Sequence, residues 1–212
     1  MALFREHVSV GAIAGAVGVT VLYFYALVTD PLLLALLFAV TTTASFVPDL
    51  DSDSGVPFYV MFGLFTLVCT SVALYWTLSN YPNSWYALVG IPLATMLVVW
   101  FVVGELFKNF TKHRGMMHSI PMMLIVGLLV YLTAAHFSAG ETLSMWFALA
   151  AALGFATHLV LDEFHSELTF DGIPFNAKKS LGTALKLFSQ STFINVFTYL
   201  LLTTLLYMVF IQ

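Results

Sequence analysis

Charge is what this chain has least of. Only 8% of its 212 residues are Asp, Glu, Lys or Arg, against about a quarter in a soluble domain. With 60% hydrophobic residues and a mean hydropathy of +0.96, it is expected to be an integral membrane protein. Cysteine is nearly absent as well. Cys69 stands alone inside an apolar run, which excludes an internal disulfide and a thiolate metal cluster and leaves it as packing material. No long polar stretch is present to form a separate soluble domain, and no nucleic-acid partner is expected. The first apolar run, about 20 residues long, lacks a convincing cleavage site and reads as a retained helix rather than a signal peptide.

What the chain does have is apolar length. A helix needs about 20 apolar residues to span a bilayer, and seven runs are candidates: Val8–Val28, Pro31–Val47, Val56–Ser79, Trp85–Phe107, Ile120–Phe137, Leu143–Leu161 and Thr192–Ile211. The expected fold class is all-α, a polytopic membrane bundle of about seven helices forming one domain. The second run is short and carries Thr41, Thr42, Thr43 and Ser45, which suits a helix turned toward other helices. The connections Thr29-Asp30, Asn80–Ser84 and Ser138–Thr142 hold no lysine or arginine. All seven basic residues, Arg5, Lys108, Lys112, Arg114, Lys178, Lys179 and Lys186, fall on the other side. The positive-inside rule makes that side cytoplasmic, with the N-terminus inside and the C-terminus outside the cell (inner) membrane. Residues 163–191 read as a cytoplasmic surface loop, with Ser180–Phe188 a candidate amphipathic helix.

The polar residues then gather. His7 opens the first span, Asp49 and Asp51 follow the second, His113 and His118 lie between the fourth and fifth, and His158 and Asp162 close the sixth. If each span crosses once, all of them reach one membrane face. His158 and Asp162, four apart, share a helical face, where they either chelate a divalent cation or form an ordinary histidine–aspartate pair. Asp49 and Asp51 point the same way along an extended segment and can bracket one or two metals; the alternative is a solvated capping turn after Pro48. Calcium-loop spacing fails here, because Gly55 comes one place late and Val60 stands where a glutamate is needed.

A turn at Gly115 would fold His113 toward His118, and Ser119 ahead of Ile120-Pro121 looks like a helix N-cap. Arg114 offers a fork suited to a phosphate or carboxylate, although the same stretch also reads as a basic loop touching anionic lipid heads. Asp53, Ser119, Glu163 and His165 are placed around the proposed ligands as groups that orient them. His136 is expected as an interfacial side chain near the opposite surface, and Glu105 as a local partner of Lys108. Four segments thus supply four histidines and three carboxylates to one surface, a pattern that favours a metal centre.

At these residues the chain resembles the LexA-regulated, membrane-bound metal-dependent hydrolases, the YdjM-like family. The matching elements are Glu6-His7 through Gly15, Val47-Pro48-Asp49-Leu50-Asp51, His113-Arg114-Gly115-Met116-Met117-His118-Ser119, His158-Leu159-Val160-Leu161-Asp162 and Asp171-Gly172-Ile173-Pro174-Phe175. Met117 stands where that family usually has threonine, and Ser52 where it often has histidine. The resemblance implies hydrolase activity and a site pattern similar to zinc-dependent phospholipase C and P1-type nucleases. Phosphoester chemistry enters through that resemblance alone.

The expected function is therefore metal-dependent hydrolysis of a membrane lipid at the cytoplasmic leaflet. His7, Asp49, Asp51, His113, His118, His158 and Asp162 would bind one to three divalent ions, zinc first and manganese second. Such an ion lowers the pKa of a coordinated water to about 7. Asp49 or Asp51 would orient the water, Arg114 would hold a substrate phosphate, and Lys178 and Lys179 would gather anionic head groups. A divalent-cation transporter or sensor, a lipid amidase and a non-enzymatic lipid-head binder are the other classes left open. Transport fits less well, since no charged residue sits in mid-span.

Overall fold

In hydrocarbon, a backbone N–H or C=O without a partner costs several kcal/mol, so apolar runs of this length fold as helices. The computed structural model describes residues 4–51, 56–106, 116–137, 139–167, 185–189 and 191–211. Its helices are α1 (Phe4–Phe24), α2 (Pro31–Ala44), α3 (Val56–Asn80), α4 (Trp85–Leu97), α5 (Ile120–His136), α6 (Glu141–Glu167) and α7 (Thr192–Phe210). A 3-10 turn, Val47–Asp51, follows α2, and a π-helical turn, Val98–Val103, continues α4. Six helical segments are long and apolar enough to cross a membrane, and α5 is a shorter apolar helix. Seven apolar helices thus stand where seven runs were expected, and no strand occurs among the described residues.

Side chains at the helix starts take up exposed backbone donors. Asp30 accepts from the Leu33 N–H at 2.9 Å, ahead of Pro31 in the first turn of α2. Ser119 accepts from Met122 at 3.3 Å, as its place before Ile120-Pro121 predicts, and Ser191 accepts from Ile194 at 3.4 Å.

The helices sort into two compact units, Met1–Pro48 with Gly115–Gln212, and Asp49–Arg114. In the first, α6 packs against α1, α2 and α5, and α7 packs against α5. Ile125, Leu202 and Leu205 are buried at the α5–α7 contact. Small residues let the other backbones approach closely. A Cβ on Gly11 of α1 would run into the Ser45 side chain, and one on Gly154 of α6 would run into the Thr41 carbonyl and Ala44. In the second unit Phe58 and Phe62 of α3 stack with centroids 4.9 Å apart and pack with Val99, while Cys69 and Trp100 lie against them. Cys69 is packing material there, as its apolar setting implies.

Four local expectations change. Helix α1 starts at Phe4, so His7 sits within the helix rather than ahead of it, and α1 ends at Phe24 before Ala26 turns to φ 53°. Asp49 and Asp51 lie on a 3-10 turn and not on an extended segment. Helix α6 runs to Glu167, so residues 163–167 are helical rather than loop. Within the candidate amphipathic stretch, 185–188 are not helical either. Lys186 instead bridges to Ser119, its carbonyl accepting from the Ile120 N–H at 3.2 Å and so satisfying a donor at the start of α5.

Candidate metal centre

Three separate parts of the first unit bring histidines to Asp162. His158 and Asp162 are one turn apart on α6, with His158 Nε2 3.6 Å from Asp162 Oδ2. His7, on α1, places its Nε2 3.4 Å from Asp162 Oδ1. His118, just before α5, places its Nε2 3.5 Å from Asp162 Oδ2 and 3.2 Å from His158 Nε2. The His7 and His158 rings stack at 3.7 Å with an interplanar angle of 14°. His7, His158 and Asp162 are buried, whereas the His118 side chain keeps 11% of its surface exposed.

The end of α2 locks this arrangement. The Ser45 carbonyl lies 2.8 Å from His158 Nδ1. A carbonyl can only accept, so Nδ1 carries the proton and the neutral ring presents its lone pair at Nε2. The Ser45 hydroxyl donates to the His7 carbonyl at 3.0 Å and to the Thr42 carbonyl at 2.7 Å. One residue thus ties α1, α2 and α6 together at the level of the two stacked histidines. Gly11 leaves the space in which it sits. On the His118 side, the buried Ser119 hydroxyl donates to the Met116 carbonyl at 2.5 Å while capping α5.

The donor chemistry suits a cation. His158 Nε2, without a proton in the neutral ring, faces another imidazole nitrogen at 3.2 Å and a carboxylate oxygen at 3.6 Å. His118 Nε2 either donates a hydrogen bond there or, as the other tautomer, adds a second lone pair that a cation would draw in. His7, His158 and Asp162 each offer a ligand atom within 4.8 Å of the others, a group able to hold a metal ion.

The family model for YdjM inner membrane proteins matches residues 1–211. The chain belongs to that family. No curated protein and no solved structure matches it. Family membership and the run of apolar helices together make this YdjM-family chain an inner membrane protein.

The other expected site residues of the YdjM-family chain fall in different places. Asp49 opens the second unit, on the 3-10 turn with Asp51. Asp53, His113, Arg114, Lys178 and Lys179 lie outside the described residues. Glu163 follows Asp162 on α6 and is half-buried. His165 turns toward α1: its Nε2 is 3.5 Å from Glu6 Oε2 and its Nδ1 donates to the Leu161 carbonyl at 3.0 Å. Both side chains of that pair are well exposed, and exposed pairs contribute little to stability. His165→Ala should therefore leave bound metal unchanged and shift stability by no more than about 0.5 kcal/mol; elemental analysis and thermal unfolding in detergent would check this.

Ser45 is the site residue that sequence reasoning missed as a functional group. It was singled out only as a polar residue in a short span. A serine one turn after Thr41, at the end of a helix bound for a crowded contact, is the signal that was there.

Proposed function

We propose that this protein is a metal-dependent hydrolase, acting at the cytoplasmic face of the inner membrane on the phosphoester of a lipid. The observation that supports it is the convergence of His7, His118 and His158 on Asp162, with the Ser45 carbonyl holding His158 Nε2 ready as a ligand. Two nitrogen or oxygen ligands of one tetrahedral zinc, each about 2.0–2.2 Å from it, stand roughly 3.3–3.5 Å apart. The separations of 3.4 Å from His7 Nε2 and 3.6 Å from His158 Nε2 to the Asp162 carboxylate lie close to that spacing. His7, His158 and Asp162 would hold zinc, or manganese in its place, with His118 at the edge beside Asp162 Oδ2.

When bound, the ion supplies a Lewis acid and brings the pKa of a coordinated water to about 7. Asp162 would offset part of its charge, and burial of His7 and His158 keeps bulk water from that side. The partly exposed His118 marks the edge from which substrate enters. Asp49 or Asp51 would orient the water. Arg114 would bind the substrate phosphate through its planar fork, with Lys178 and Lys179 attracting the head group.

Elemental analysis of detergent-purified wild type beside Asp162→Asn tests this reading. Near-stoichiometric zinc or manganese in the wild type, reduced in Asp162→Asn, is expected, together with release of phosphate or a phosphorylated head group from bilayer phospholipids. A wild type that neither carries metal nor takes it up would overturn the proposal. So would zinc flux in proteoliposomes without any hydrolysis.

A further inference from the structure

Below the histidines the same three helices part. A cavity of about 250 Å³ opens between α1, α2 and α6, lined among others by Gly15, Gly18, Leu37, Thr41, Trp146 and Leu153. Thr41, its one hydroxyl among these six, donates to the Leu37 carbonyl at 3.0 Å, so the wall is apolar in effect. Leu153, on its edge, is exposed, so the cavity opens sideways to the bilayer. Water would find too few polar partners to occupy it, and an empty void would forfeit dispersion contacts all along its lining. Hydrocarbon is the medium that fits.

We propose that this groove binds one long alkyl chain of a membrane lipid whose head group lies at the His7–His118–His158–Asp162 cluster, so that the substrate is a long-chain amphiphile gripped at two points. The inference rests on the hydrolase reading for the head group and on the groove for the chain. Depth supports the pairing. At 1.5 Å per residue, α1 descends about 12 Å from His7 to Gly15 and about 10 Å more to Leu22 at the groove's lower end. Along α6 the descent is about 8 Å from His158 to Leu153 and about 18 Å to Trp146. A leaflet's share of the hydrocarbon core is about 15 Å. An alkyl chain anchored at the cluster therefore brings its distal half alongside the groove. The two features are built on successive turns of the same helices, with the close contacts of Gly11 with Ser45 and Gly154 with Thr41 between them. The chain reaches the groove around those contacts, from the bilayer side.

Trp146 in the wall provides the test. Full-length protein in detergent is titrated with a phospholipid brominated in the distal half of its acyl chain, and fluorescence quenching is followed in the wild type, Trp146→Phe, Gly18→Ala and Gly18→Leu. A component that disappears in Trp146→Phe reports on the groove. Gly18 has room, since a Cβ there meets only Leu153 Cδ2 at 3.6 Å; alanine should be accepted and leucine should fill the groove. The expected result is quenching that saturates near one lipid per protein in the wild type and in Gly18→Ala, and is weakened about tenfold or more in Gly18→Leu. Quenching that rises without saturation, or that is equal in Gly18→Leu, would overturn the proposal. A native mass showing a dimer whose second copy shields Trp146 from quenching would also overturn it. Metal is measured on the same samples. Bound metal with no saturable quenching defeats the groove alone, whereas a metal-free wild type defeats the hydrolase reading alone.

Discussion

Replacing His158 with asparagine should strip the protein of bound metal while leaving it folded. Asparagine carries an amide N–H close to where histidine carries Nδ1–H, so the bond to the Ser45 carbonyl, 2.8 Å in the wild type, has a substitute donor. What disappears is Nε2, the atom that faces His118 and Asp162. Removing even an outer partner of a metal ligand costs 10–100-fold in affinity, so loss of a ligand itself should cost about 100-fold or more. His158→Ala makes the informative contrast. It removes Nε2 as well and also leaves the Ser45 carbonyl buried without its donor, which costs about 1–3 kcal/mol. Both variants should lose metal in equilibrium dialysis, and only the alanine variant should show a clearly lower Tm. Wild-type metal content in His158→Asn would mean that the cluster is an ordinary buried hydrogen-bonded group.

Gly154→Ala should be among the most damaging single-methyl additions in the chain. Its new Cβ would meet the carbonyl carbon and oxygen of Thr41 and the Cβ of Ala44. Two of those atoms are backbone, so no rotamer change can relieve the clash and α2 must move away from α6. Overpacking of this kind typically costs 1–3 kcal/mol. The displaced segment also carries Ser45, one residue beyond Ala44, so the lock on His158 loosens with it. A Tm drop accompanied by weaker metal binding is the expected outcome. Gly18→Ala, on α1, where a Cβ makes only an ordinary contact with Leu153, should leave both unchanged. Equal behaviour of these two alanine variants would show that the α2–α6 contact does not set the site.

Hydropathy made the helices legible because a bilayer gives an apolar run of this length few other ways to satisfy its backbone. The pairing of His158 with Asp162 was legible from their spacing on one helix face. The convergence of His7 and His118 on them required topology as well, since nothing local marks residues so far apart in the chain as neighbours. Two features had no such signal. Every residue has a carbonyl, so nothing in the sequence distinguishes the one at Ser45 that fixes the His158 tautomer. Glycines are frequent in membrane helices, and only the packing shows that Gly11 and Gly154 admit Ser45 and the α2 backbone while Gly18 faces a groove. The turn after α2 misled for a different reason. An alternation of aspartates suits a strand, but directly after a helix and with Pro48 beside it, the backbone continues as a tighter helical turn.

The stacking of His7 on His158 joins the first helix to the sixth. Helices enter a membrane in the order in which the ribosome makes them, so His7 is delivered long before the residues that enclose it. Until α6 arrives, α1 holds an imidazole with no protein partner from that helix, in a setting where buried polar groups are costly. Completion of the cluster is therefore a late event in biogenesis. A chain stalled before α6 would lack His158 and Asp162 together.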